Sequence, residues 1–211
     1  MSEKMLNQSA VKFLQDLSSS LPAPGGGGAA AYASAMGTAL GMMVVNLTKG
    51  KKKYAQYEED LGQLLEKFGV TLERFMELVQ EDADNFLPLS QAYGLAQGTE
   101  KEKKHKEKVM EESLRLACSA PLEMMELSVK AMFLLEELLE KGSKLVLSDV
   151  GVGVAMLEAG LKSASLNIYI NAKSMMDEKY ADEIVNRTEK YLSEGDKLSE
   201  NIFNQVKNRI Y

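Results

Sequence analysis

The sequence predicts an all-α fold, a multihelical bundle of long kinked helices around two buried small-residue helices. Three observations lead there. The 211 residues include no tryptophan and only four prolines, and Ala, Leu, Met, Glu and Lys, all strong helix formers, are abundant. Apolar residues recur at spacings of three and four over stretches far longer than any strand. Two stretches, one after Gly25 and one after Asp149, are rich in Gly, Ala and Ser, which lets neighbouring backbones approach closely. With 45% hydrophobic residues the chain can bury a real core, and no linker-like segment divides it, so one domain over 1–211 is expected.

Residues 3–19 read as a first amphipathic helix, with Met5, Leu6, Phe13, Leu14 and Leu17 on or near one face. Leu21–Asn46 follows, with Pro24 and four glycines, Gly25, Gly26, Gly27 and Gly28, emptying into an alanine-rich run without charge. Such a run approaches membrane length, but its small residues and the lysines beyond it favour a buried soluble helix. The glycines leave backbone N–H groups free at a helix start, where the macrodipole favours an anion or a carbonyl oxygen. A tight entry turn is the plainer reading of the same residues. Lys51, Lys52 and Lys53 follow Gly50 and complement a helix C-terminus; they could equally form an anion-binding edge.

From Tyr54 to about Ala96 the pattern is helical, and Pro88 can kink it without ending it. Within Glu81-Asp82-Ala83-Asp84-Asn85-Phe86, Asp82 shares a helical face with Phe75, Leu78, Val79 and Phe86, which places Asp84 nearer solvent. A carboxylate on a packed face needs a partner, and burial of this kind tunes an acid or base. A structural hydrogen bond between helices would account for it equally well. Thr99 and Glu102 fit a capping box at the start of a helix running to Lys141, with a bend at Pro121. The single histidine, His105, lies in a Lys/Glu-rich outer stretch, a poor setting for a metal site or a catalytic triad. Ser148 and Asp149 read as N-cap residues of a second small-residue helix, Gly151 to about Met175. On that helix Asn167 and Asn171 lie one turn apart among apolar residues, and their amides need partners in backbone, subunit or ligand. A helix over about Glu178–Arg209 closes the chain, with Ile184, Tyr191, Leu198, Ile202, Phe203 and Val206 turned inward.

The net charge of −6 argues against nucleic-acid binding, which wants a basic face. The lone Cys118 cannot form an internal disulfide, and the first twenty residues lack the apolar core of a signal peptide. Both fit a cytoplasmic protein that does not associate with membranes. The uncharged surface of the two small-residue helices exceeds what one slim bundle covers, so a homodimer or higher homo-oligomer is expected.

Several blocks, taken in order, resemble the cyclodeaminase/cyclohydrolase family of folate one-carbon enzymes. They are Pro24-Gly25-Gly26-Gly27 with its Ala-rich helix, Leu47-Thr48 with Gly50-Lys51-Lys52-Lys53-Tyr54, and Asp82-Ala83 with Phe86. Ala92-Tyr93 through Thr99-Glu100, Ala117 with Pro121-Leu122, Ser148-Asp149-Val150-Gly151-Val152, and Asn167 with Ile170-Asn171 complete the set. Gly28 stands where the family usually has serine, and Lys106 where arginine is expected. The resemblance implies an all-helical oligomer acting on tetrahydrofolate derivatives without metal or other cofactor. Formiminotetrahydrofolate cyclodeaminase is the leading expectation and methenyltetrahydrofolate cyclohydrolase the nearest rival; a non-catalytic folate-binding or interaction oligomer is the alternative of another class. Asp82 and Asp149 are the expected acid/base pair, brought together by helix packing or dimer contact. The glycine-loop amides, with Ser148–Asp149, are expected to hold the pterin ring and reacting carbon, and Asn167 and Asn171 to contribute to binding. Lys51, Lys52 and Lys53 would meet a glutamate or polyglutamate tail, from a partner subunit where needed.

Overall fold

The computed structural model describes residues 5–211. Among them lie six α-helices and no strand: α1 (Ala10–Leu17), α2 (Gly26–Asn46), α3 (Glu58–Tyr93), α4 (Glu100–Lys141), α5 (Leu147–Ala172) and α6 (Glu178–Ile210). The all-α expectation is met. The first helix is shorter than expected and broken. A 3₁₀ turn over Met5–Asn7 precedes α1, because the Ser9 hydroxyl accepts from the Lys12 N–H and starts the helix afresh. Phe13 alone on α1 is buried, tilted against Tyr32 at 5.1 Å, while Leu14 faces solvent, contrary to the expected face. The first two positions of the expected helix lie outside the described residues.

Pro88 and Pro121 both sit inside continuous helices, as expected. The capping box at Thr99 and Glu102 starts α4. Lys106 donates from Nζ to the Tyr93 and Leu95 carbonyls (2.9 and 3.0 Å) and so ties off the end of α3. Two separate carbonyls need no bidentate fork, which accounts for lysine serving where arginine was expected. At the far end of the bundle, the Thr48 hydroxyl donates to Val44 O and accepts from the Ser143 N–H, and the Tyr54 hydroxyl accepts from the Lys144 N–H. Those bonds fasten the end of α2 to the α4–α5 turn, with Gly50 at a positive φ of 74° making the intervening bend.

The longest helix, α4, packs against α2, α3, α5 and α6. The core is built of Leu, Met and Phe from α3 and α4 (Phe68, Phe75, Met124, Met132 and Leu135 among them) together with the small residues of α2 and α5. The last two helices meet at backbone distance. A Cβ on Gly37 would lie 2.6 Å from Gly153 O, and one on Gly160 would lie 2.9 Å from Ala30 O. These pairs, with Gly26 beside Asn167, establish that α2 and α5 run antiparallel. The helix α2 is long and apolar enough to cross a membrane by length and composition, and it is mostly buried in the bundle. In α6, Ile184, Leu198, Ile202 and Val206 are buried as expected; Phe203 is 49% exposed, one position off that face.

Candidate active site

A cavity of about 180 Å³ opens where the start of α2 meets the middle of α3 and the end of α5. Gly25, Gly26 and Gly27 form one wall, Asp82, Ala83 and Phe86 a second, and Asn167, Ile170 and Asn171 a third. Pro22, Ala23 and Ala117 complete the lining. Among the described residues Asp82 is the single carboxylate in it. Its neighbours are accounted for elsewhere: Glu81 pairs with Arg74 at 2.8 Å, and Asp84 accepts from Gln80 on the outer face.

Asp82 is held by the first turn of α2. The Gly28 N–H points at its carboxylate, one of the helix-start donors that have no partner within the helix. The approach is so close that a Cβ on Gly27 would lie 2.1 Å from Asp82 Oδ1 and 2.4 Å from Cγ. Burial raises the carboxyl to about 6, and the Gly28 bond opposes that by favouring the charged form. The group therefore changes charge near neutral pH, the range in which a general acid or base works best. Gly28 itself lies behind the cavity, where a Cβ would come no closer than 3.4 Å, to Pro24. The serine usual in the family thus has room there.

The two asparagines complete the polar lining. Asn167 donates from Nδ2 to Ser163 O at 3.0 Å, leaving its Oδ1 beside Gly26. Asn171 is buried, and its amide bonds to Cys118. The Cys118 thiol is pushed up to about 11 by burial, which leaves it protonated and inert as a nucleophile. Phe86 and Ile170 supply apolar walls beside these few polar groups, the mixture typical of a small-molecule pocket. His105 is exposed on α4, and among the described residues no three His, Cys, Asp or Glu side chains gather as a metal-ligand set.

The other expected site residues lie elsewhere. Asp149 does not cap α5: the helix starts two residues earlier, Val146 is its N-cap, and Asp149 sits in the first turn, where its charge complements the macrodipole. Asp149 and Asn167 stand eighteen positions apart on one continuous helix, about 27 Å at 1.5 Å per residue. Packing within one chain thus leaves Asp82 and Asp149 at opposite ends of the α2–α5 pair. Ser148 and Asp149 belong with exposed Lys51, Lys52 and Lys53, not with the glycine loop as expected; Lys51 Nζ lies 3.4 Å from Ser143 Oγ in the α4–α5 turn. The sequence reading did not single out Pro22, Ala23, Ala83, Phe86, Ala117 or Ile170 as site residues. Phe86, four residues after Asp82, and Ile170, beside Asn171, carry a signal in their spacing; Ala83 and Ala117 stand only within the blocks that carry the resemblance, and Pro22 and Ala23 carry none.

The cavity thus joins one tuned carboxylate, helix-start amides and two asparagines on an all-α scaffold. Residues 9–190 match the profile of the formiminotransferase-cyclodeaminase family, and the chain belongs to that family. It is 41% identical over 204 residues to methenyltetrahydrofolate cyclohydrolase of Methylorubrum extorquens, covering 97% of this chain and 98% of that protein. It is 30% identical over 192 residues to mouse formimidoyltransferase-cyclodeaminase, where the match spans 91% of this chain and 36% of the longer protein. The crystal structure of formiminotetrahydrofolate cyclodeaminase from Thermotoga maritima superposes with a TM-score of 0.86 over 98% of this chain and all of that one, at 23% identity, which speaks for the fold.

Proposed function

We propose that the protein is a folate one-carbon enzyme that hydrolyses the bridge of methenyltetrahydrofolate. The observation that carries this reading is the end-to-end likeness, at 41% identity, to a cyclohydrolase of nearly the same length. It moves the cyclohydrolase ahead of the cyclodeaminase that the sequence alone put first. The substrate's bridge is an amidinium carbon with a delocalised positive charge, and among the described residues Asp82 is the only carboxylate lining the cavity. Ionised Asp82 accepts a proton from water as its oxygen adds to that carbon. The resulting tetrahedral carbon loses its bond to nitrogen-5, which takes up that proton from Asp82, while the carbinol hydroxyl releases its own proton to solvent and becomes the carbonyl of the formyl group left on nitrogen-10. Asn167 Oδ1 and the free amides of Gly26 and Gly27 hold the ring by hydrogen bonds, and Phe86 and Ile170 enclose it. No metal or further cofactor is required by these steps.

Cyclodeamination is the second reading, favoured by the 30% identity to formimidoyltransferase-cyclodeaminase. In that reaction nitrogen-10 attacks the formimino carbon and ammonia leaves, so the same carboxyl serves. Incubation with each substrate separates the two. Loss of methenyl absorbance supports the cyclohydrolase, its appearance from 5-formiminotetrahydrofolate with ammonia supports the cyclodeaminase, and neither change overturns both.

The glutamate tail of folates gives the lysines a role. Replacing Lys51, Lys52 and Lys53 together by glutamine is expected to raise KM several-fold with kcat nearly constant. The rise should be greater for polyglutamylated substrate and at low salt, since exposed charges act through screened attraction. An unchanged KM for both tail lengths would make the cluster a solvated helix end.

A further inference from the structure

We infer that Asn171 is a further catalytic residue of the proposed hydrolysis: its side-chain oxygen and the Asp82 carboxylate together hold the attacking water at the floor of the cavity. The inference rests on the folate reading above for the electrophile. The place of the water rests on how the cavity is layered.

Depth sorts the lining into two zones. Pro22, Gly26, Phe86 and Ile170 are exposed and ring the mouth, while Gly27, Ala117 and Asn171 are buried and form the floor. Asp82 is half-buried between them, packed on Gly27. The two asparagines differ accordingly. Asn167 is half-buried nearer the mouth, and its Nδ2 donates to Ser163 O within its own helix. Asn171 stands one turn further along α5, about 6 Å on, and is only 9% exposed. Among the described residues the one hydrogen-bonding neighbour of its side chain is the Cys118 sulfur, which accepts from the amide nitrogen. Sulfur is a weak acceptor, and with Nδ2 turned to it, Oδ1 is left facing the cavity. A buried amide oxygen without a donor is unfavourable, so this one suits a guest that brings an O–H or N–H.

Water fits that place. A cavity of about 180 Å³, taken as a sphere, is about 7 Å across, so groups on its walls stand within a water or two of one another. The two O–H groups of a water donate to Asp82 and to Asn171 Oδ1. A lone pair is then left facing the mouth, where the bridge carbon arrives between Phe86 and Ile170. The two acceptors differ in basicity. The carboxylate takes a proton and the amide oxygen does not, so the second hydrogen stays on the oxygen as the C–O bond forms. The proton on Asp82 passes to nitrogen-5 as the C–N bond breaks. The carbinol hydroxyl, held by Asn171 until then, releases its proton to solvent and becomes the formyl carbonyl. Two carboxylates in these places would share a proton and leave no free base near neutral pH, which is the reason for an amide at the second one.

Asn171→Leu and Asn171→Asp test this on the full chain, with hydrolysis followed as loss of methenyl absorbance. The leucine substitution keeps the volume and removes the acceptor. Its kcat should fall about 10²-fold while KM stays within about threefold of wild type, and it should melt as the wild type does. A raised KM with unchanged kcat would make Asn171 a ring-binding residue and overturn the inference, as would wild-type kinetics. The aspartate substitution keeps an oxygen acceptor, so kcat at high pH should stay within about tenfold of wild type. Its acid limb should move above the value of about 6 set by Asp82, because two carboxylates on one water hold a proton between them. The titratable groups of the cavity that face this position are Asp82 from α3 and Cys118 from α4, and the α2 start brings none. A limb left in place would mean that the two side chains do not meet the same water, and it overturns the inference even where Asn171→Leu fails to fold. If the wild-type protein leaves methenyltetrahydrofolate unhydrolysed, the folate reading fails and the role of Asn171 falls with it, a result seen before any variant is made.

Discussion

Asp82→Asn is expected to lower turnover by about 10²-fold or more, the usual contribution of a general acid or base, while making the protein more stable near neutral pH. The two effects have one cause. Burial holds the Asp82 carboxyl at about 6 in the folded chain, above the ordinary carboxylate value of about 4. Between those values the folded state keeps its proton while the unfolded state has lost it. The stability contributed by this group is therefore full below about pH 4 and is lost as pH rises through about 6. Asparagine matches the shape, still accepts from the Gly28 N–H, and has no charge to desolvate. Above pH 6 the variant should gain about 1 kcal/mol, allowing for screening at a group that reaches the cavity. Below pH 4 the two proteins should melt alike. In the wild type, kcat/KM should fall as pH drops through about 6, because the proton acceptor is then filled. A flat profile with near-normal turnover of the variant would remove Asp82 from the chemistry.

How much of this could be read in the chain depended on whether the signal was local. Period and capping are local: the Thr99–Glu102 box, the continuous helices through Pro88 and Pro121, and the inward face of Asp82 all follow from residues within two turns. The α5 start was misplaced because Ser148 and Asp149 suit an N-cap in isolation. In the fold, the Lys144–Val146 3₁₀ turn feeds directly into the helix and puts Val146 at the cap. Phe203 was misassigned because Ile202 beside it competes for the same face. The cavity itself was only half legible. Asp82, Asn167 and Asn171 declared themselves as polar residues in apolar company. Ala83 and Ala117, though they stand in blocks that carry the resemblance, show no chemistry of their own until α3 and α4 are packed, and the direction of α5 relative to α2 is a tertiary fact. That direction separates Asp149 from Asp82 within one chain, and no spacing in the sequence encodes it.

Gly27→Ala is expected to cost as much activity as the loss of the carboxylate, though it adds one methyl group and removes no functional one. The added carbon would lie 2.1 Å from Asp82 Oδ1 and 2.4 Å from both Cγ and Oδ2, far inside contact distance. Either the Asp82 side chain leaves the α2 helix start or the first turn of α2 moves; both break the Gly28 bond and displace the base. A shift of about 1 Å at a reacting group is enough for a loss of about 10²-fold, and forced overpacking should destabilise the fold by about 1–3 kcal/mol. Gly28→Ala is the matched control: its added carbon meets nothing closer than 3.4 Å, so activity should stay within about tenfold of wild type. Truncating the obstructing side chain separates the two consequences. In Gly27→Ala combined with Asp82→Ala, the clash is gone, so thermal stability should return toward wild type while activity stays low, an interaction energy of about 1–3 kcal/mol in the double-mutant cycle. Additive losses of stability would mean that Gly27 is required by the backbone and not by the carboxylate packed against it.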